Sequence, residues 1–172
     1  MPDFPAMTTD EIRAHRETVF LRLLLRVSQI ETMDLVERLH TNGHGAVQRA
    51  HIAVLGNIDT EGTRLVEVAR RLGVTRQAAS QMVREIERKG FLQRASDPAD
   101  GRAVRVRHTP SGRALLLDAL ALMHEIESGY AELVGPRTMS QMRRALREIA
   151  DAADKTSALA DTSDSSATAP SV

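Results

Sequence analysis

Residues 65–94 read LVEVARRLGVTRQAASQMVREIERKGFLQR. The five residues RLGVT at 71–75 decide how the rest is read. Before them, TRLVEVARRLG at 63–73 has the spacing of a short helix, with Thr63 as its cap and Gly73 as its stop. After them, Val74-Thr75 opens TRQAASQMVREIERKG, a helix of about four turns that ends at Gly90. Two helices joined by a tight turn with Gly at the bend form a helix-turn-helix. In the second helix Ala79, Met82, Val83 and Ile86 share one side and are expected to pack inward. The other side collects Gln77, Ser80, Gln81, Arg84 and Arg88, with Ala78 keeping the surface low and Arg76 reaching sideways near the start. Such a face suits the major groove, where Gln pairs with adenine, Arg with guanine, and Ser or Thr with a base or phosphate. An ordinary polar helix face has the same composition, so the neighbouring segments decide.

After Gly90 the period changes. FLQRAS (91–96) and RAVRVRH (102–108) flank the turn-rich DPADG. Val104, Val106 and His108 alternate with Ala103, Arg105 and Arg107, a period of two, which predicts a β-hairpin. Asp97-Pro98 begins the turn out of its first strand. Arg105 and Arg107 fall on the outward face, better placed for phosphates than for bases. Helix, tight turn, helix, basic hairpin is the order of a winged helix-turn-helix.

The flanks read as helices. Thr8-Thr9-Asp10-Glu11 is a capping box, and no Gly or Pro interrupts the chain from there to Asn42-Gly43, so one helix is expected over about 9–40. Its apolar residues cover more than one stripe, so it wants a partner. HGAVQRAHIAVLGNI (44–58) reads as a second helix. Thr109-Pro110 starts a helix that runs to about Val134, Gly135-Pro136 breaks it, and a last helix ends near Lys155. The Ser/Thr/Ala/Asp-rich tail 156–172 is expected to be disordered.

The formal net charge of zero conceals an asymmetry. Residues 64–113 hold 12 Lys and Arg against 5 Asp and Glu, leaving 11 against 18 elsewhere. A compact basic segment in an acidic chain suits a polyanion. With no cysteine, thiol catalysis, disulfides and Cys-based zinc sites are excluded. The most apolar run, VFLRLLLRV at 19–27, is short and carries Arg22 and Arg26, so no membrane span is read, and the acidic N-terminus has no secretory pattern. The expected location is the cytoplasm.

From about Ala50 to Leu117 the sequence resembles the MarR family of winged-helix transcription regulators. The matching features are Lys89-Gly90 closing the second helix, Arg94 closing the first wing strand, Asp100-Gly101-Arg102 at the wing, and Thr109-Pro110-Ser111-Gly112 opening the next helix. The flanks resemble the family only in layout. The resemblance implies a mainly α fold with a small β-wing: an N-terminal dimerisation helix (1–43), a winged helix-turn-helix (44–112) and C-terminal dimerisation helices (113–155). It implies a homodimer on a palindromic double-stranded DNA operator, with Thr75, Arg76, Gln77, Ser80, Gln81 and Arg84 in the major groove. Arg102 would enter the minor groove, supported by Arg105 and Arg107, and Asp100 would pair with Arg94 to hold the wing. Family members commonly repress transcription and release DNA when a small molecule binds. His108 departs from the family pattern, which has Leu there, and is read as a half-buried strand residue.

No phosphate loop, dinucleotide fingerprint or nucleophile motif is present, so no enzyme and no cofactor is expected. Six histidines are scattered; His44 and His51 could share a face of the second helix, but no ligand set converges locally and no metal is expected. A metal-sensing winged-helix regulator and a helical protein-interaction module remain the alternatives.

Overall fold

The computed structural model describes residues 7–97 and 100–165, the side chains of 101–102 and 156–165 excepted. Helices α1 (Thr9–Thr18), α2 (Phe20–Thr41) and α3 (Arg49–Leu55) lead into strand β1 (Thr63–Arg64) and helices α4 (Leu65–Leu72) and α5 (Arg76–Arg88). Strands β2 (Leu92–Asp97) and β3 (Asp100–His108) follow, then α6 (Pro110–Val134) and α7 (Pro136–Ser165). The chain divides into two compact units at His124/Glu125, within α6.

In the first unit the expected helix over 9–40 is two helices. Its capping box forms as read: the Thr8 hydroxyl accepts the Glu11 N–H at 3.3 Å, and Glu11 accepts the Thr8 N–H at 2.8 Å. The break is at Val19, whose ψ of 122° is extended. Thr18 turns its hydroxyl onto the His15 carbonyl at 2.8 Å. A hydroxyl that bonds its own helix, followed by a β-branched residue, is a weak spot for continuing the turn. The second expected helix also shrinks to α3. His44 lies before it, in a loop, so His44 and His51 share no helical face.

The core is aliphatic, as the scarcity of aromatics requires. Leu39, Val47, Val54, Val68, Val83, Ile86 and Val106 are fully buried, each contributing about 1.5–3 kcal/mol. They come from α2, the following loop, α3, α4, α5 and β3, so the helix-turn-helix and the sheet share one interior. The sheet has three antiparallel strands in the order β1-β3-β2. β1 is an element the sequence reading missed: Thr63 is not the cap of α4 but a strand residue opposite Val106. Its hydroxyl instead bonds the Asp59 carboxylate at 3.0 Å. Gly73 closes α4 at φ 64°, a left-handed conformation that glycine adopts without strain.

The Thr109–Gly112 stretch locks the wing to α6. The Thr109 hydroxyl donates to the Gly90 carbonyl at 2.6 Å and accepts the Gly112 N–H at 3.0 Å. A Cβ on Gly112 would lie 1.9 Å from the Phe91 carbonyl oxygen, so only glycine fits.

In the second unit, α7 begins after Gly135 and continues to Ser165, ten residues past the expected end of ordered structure at Lys155. Glu127 and Arg143 are paired within this unit. Residues 166–172 of the expected disordered tail lie outside the described residues.

Candidate nucleic-acid interface

Helix α5 is laid down by a buried stripe and a cap. Ala79, Val83 and Ile86 are buried, which turns Arg76, Gln77, Gln81, Arg84 and Arg88 outward, all exposed. Thr75 is the N-cap; its hydroxyl accepts the Ala78 N–H at 3.2 Å. Of the recognition-helix residues read from the sequence, only Ser80 is turned aside. It is half-buried on the flank toward β2, where its hydroxyl accepts from Arg84 Nη1 at 3.0 Å and Arg94 Nη2 at 3.2 Å.

Charge pairing sorts the basic segment. Arg64 and Arg105 approach the Asp97 carboxylate at 2.6 and 3.1 Å. Arg70 and Arg71 bond Glu67 at 2.7 and 2.9 Å, and Arg71 also bonds Asp59 at 2.9 Å. Hydrogen bonds from Arg70 and Arg71 hold the Glu67 carboxyl at about 2, well below its ordinary value. The Arg71 bond likewise lowers Asp59. Arg94 meets Glu87 at 3.1 Å. Among the described residues, Arg76, Arg84 and Arg88 on α5 have no acidic partner.

Two wing assignments change. Arg94 does not pair with Asp100. It projects from the start of β2 onto α5, bonding Glu87 and the Ser80 carbonyl and hydroxyl. Asp100 stands opposite Asp97, at the far end of the hairpin from Arg94 and next to a bulge at Ser96/Asp97. Asp97, read as a turn residue, is the acid that anchors the sheet. Its side chain is fully buried and joins Arg64 of β1 to Arg105 across β3. Arg105 is therefore tied down, with Nη1 also donating to the Gly62 carbonyl at 2.9 Å. The Arg107 stem packs over Gly62, whose Cβ would lie 2.4 Å from Arg107 Cγ. Arg105 is thus not the free outward charge that simple alternation implied, and Arg107 is half-buried. Pro98 and the Arg102 side chain, expected at the turn and in the minor groove, lie outside the described residues. No sequence signal separates Asp97 from Asp100 as the anchor; the bulge decides it.

Four of the histidines make contacts within the first unit. His51 is buried; its Nδ1 accepts the Gln48 N–H at 3.0 Å, so Nε2 carries the proton toward Glu85 at 3.2 Å. His44 meets Asp118 at 2.7 Å. His40 donates to the Val47 carbonyl at 2.7 Å. His108 is half-buried as read, and burial lowers its pKa against the opposing carbonyls of Ile58 and Leu55. Among the described residues no three His, Asp or Glu side chains gather as metal ligands.

Residues 46–103 match the family model described as MarR family. Over this segment the chain is similar to the MarR family. Among solved structures, CouR from Rhodococcus jostii RHA1 bound to p-coumaroyl-CoA is 27% identical, with 78% of this chain and 94% of that one covered and a TM-score of 0.62. The S. aureus MepR–DNA complex is 20% identical, covering 78% and 98%, at a TM-score of 0.60. Apo wild-type MarR from E. coli is 22% identical, covering 76% and 96%, at 0.59. Likeness to the last two is likeness of fold. No curated protein sequence matches the chain. Within the MarR-type segment fall α3, β1, α4, α5, β2 and the start of β3, the elements that carry the α5 face and its sheet support. Among the described residues no helix is long and apolar enough to cross a membrane.

Proposed function

We propose that this chain is a homodimeric, sequence-specific DNA-binding transcription regulator of the cytoplasm, acting as a repressor released by a small organic ligand. One observation carries the reading: the outward face of α5 carries three arginines that have no acidic partner among the described residues. Among the described residues Arg76, Arg84 and Arg88 are exposed without acidic partners, while Arg64, Arg70, Arg71, Arg94 and Arg105 are paired with acids within the protein. A helix standing proud of its domain with Gln and Arg outward suits a major groove. Residues 44–112 form the reading lobe, with Thr75, Arg76, Gln77, Gln81 and Arg84 in the groove and Arg102 of the wing in the adjacent minor groove. Arg105 and Arg107 support that wing, and Arg94 serves α5. The relative MepR is solved on DNA and CouR with an acyl-CoA thioester, which supports both the nucleic-acid partner and a ligand of organic character.

The dimer reading rests on α2, which exposes Phe20, Leu21, Leu23, Leu24, Leu25 and Ile30, more apolar surface than a solitary helix keeps in water. A second copy of the chain covers it. Residues 1–43 and 113–155 then supply the dimerisation regions, and the operator is palindromic.

Selection of bound sequences from random DNA tests the whole. The expected result is a palindrome with half-sites about one helical turn apart. Enrichment of no sequence, or of a single unrepeated half-site, overturns it.

A further inference from the structure

The outward face of α5 is not a set of independent side chains. Ser80 accepts hydrogen bonds from Arg84 and from Arg94 on the same hydroxyl oxygen, at 3.0 and 3.2 Å. Arg94 is itself fixed by the Ser80 carbonyl at 3.0 Å and by Glu87 at 3.1 Å. Glu87, Arg94, Ser80 and Arg84 therefore form one chain of contacts from the first wing strand to the exposed face of α5. Two features of this chain bear on recognition. Glu87 would repel phosphates, and Arg94 neutralises it. Arg84 stands in the third turn of α5, yet side chains on a helix lean toward its N-terminus. The bond to Ser80 fixes that lean and holds the guanidinium one turn back, among the N-terminal turns that meet base edges in helix-turn-helix proteins.

We propose that Arg84 is the guanine-reading residue of this protein and that Ser80, held by Arg94 and Glu87, is a positioning residue that aims it rather than a base contact in its own right. This rests on the DNA-binding reading above. With one Nη of Arg84 engaged by Ser80, the remaining N–H groups of the planar fork face outward and match the O6 and N7 acceptors of guanine. A fork already held loses less rotational freedom on binding than a free one. Ser80, accepting from two arginines, has only its own O–H left to offer. Each half-site then contains one position where guanine is required.

The test takes the selected operator and the full-length protein, and measures binding at fixed salt to the operator and to copies with guanine replaced, position by position, by 7-deazaguanine or adenine. For the wild type, one position per half-site should lose between about 5- and 150-fold in affinity on replacement. Arg84→Gln should abolish that preference while leaving the other positions unchanged. Ser80→Ala should reduce the preference several-fold, with affinity for the substituted operator unchanged, and Ser80→Thr should restore it. Unchanged circular dichroism and thermal midpoint show that the variants are folded. If Arg84→Gln weakens all sequences equally and lowers the salt slope, Arg84 contacts phosphate and the proposal is wrong. If Ser80→Ala leaves the guanine preference intact, the positioning role of Ser80 is wrong and Arg84 reads the base without it. If the wild type selects no sequence, the DNA-binding reading falls first and takes this proposal with it.

Discussion

At the scale of single residues, identity is decided by close approach and by buried charge. Gly112→Ala must place a methyl group 1.9 Å from the Phe91 carbonyl, and the backbones of α6 and the β2 entry must separate. The expected cost is about 3 kcal/mol, read as a lower urea midpoint at unchanged slope; a loss under about 1 kcal/mol would show that the joint relaxes freely. The Thr-Pro-Ser-Gly motif was legible as a helix start, but the reason for its glycine was not, because Phe91 is twenty-one residues away in sequence. Asp97 and Asp100 make the same point. Both are acids beside a turn, and only the pairing register and its bulge bury the first and leave the second exposed. Asp97→Asn should speed amide exchange in β2 and β3 several-fold while α5 keeps its protection. Equal acceleration everywhere would mean that Asp97 serves global stability and not the sheet.

At the scale of elements, caps and ion pairs set how firmly α4 and α5 are held. Thr75→Ala removes the acceptor for the Ala78 N–H and is expected to cost about 1 kcal/mol, with Thr75→Ser close to neutral; equal melting curves for Thr75→Ala and the wild type would rule the cap out. The Glu67 carboxyl sits near 2 in the folded protein against 4.5 ordinarily. A carboxyl pKa lowered by folding favours the folded state above the ordinary value, and the gain disappears as pH falls from about 4.5 toward 2. Urea midpoints of the wild type should therefore drop across that window, and those of Glu67→Gln should drop less. Parallel curves would show that Arg70 and Arg71 leave Glu67 unperturbed. Helix positions were largely legible because apolar spacing and caps are local. The break at Val19 and the shortening of α3 were not legible, and neither was the strand β1, whose partner Val106 lies far along the chain.

At the scale of the whole molecule, the N-terminal half of α2 leaves a long apolar run exposed within its own unit. Leu21 and Leu25 are 61% and 56% exposed. The double variant Leu21→Glu with Leu25→Glu should run as a monomer in light scattering at micromolar concentration, keep its helical circular dichroism, and lose at least about 100-fold in operator affinity, since two linked half-site contacts become one. A dimer that persists would place the interface elsewhere. The sequence by itself determined the class of fold, the helix-turn-helix and the outward side of α5, because a Gly-bent turn, a buried stripe every three to four residues and a two-residue strand period are local signals. Only the tertiary structure decided which arginines on that side meet an acid, that Asp97 joins Arg64 to Arg105, and that Ser80 accepts from both Arg84 and Arg94. Arg64 and Asp97 are 33 positions apart in sequence, and even for nearer residues no pattern along the chain says which acid will meet which arginine.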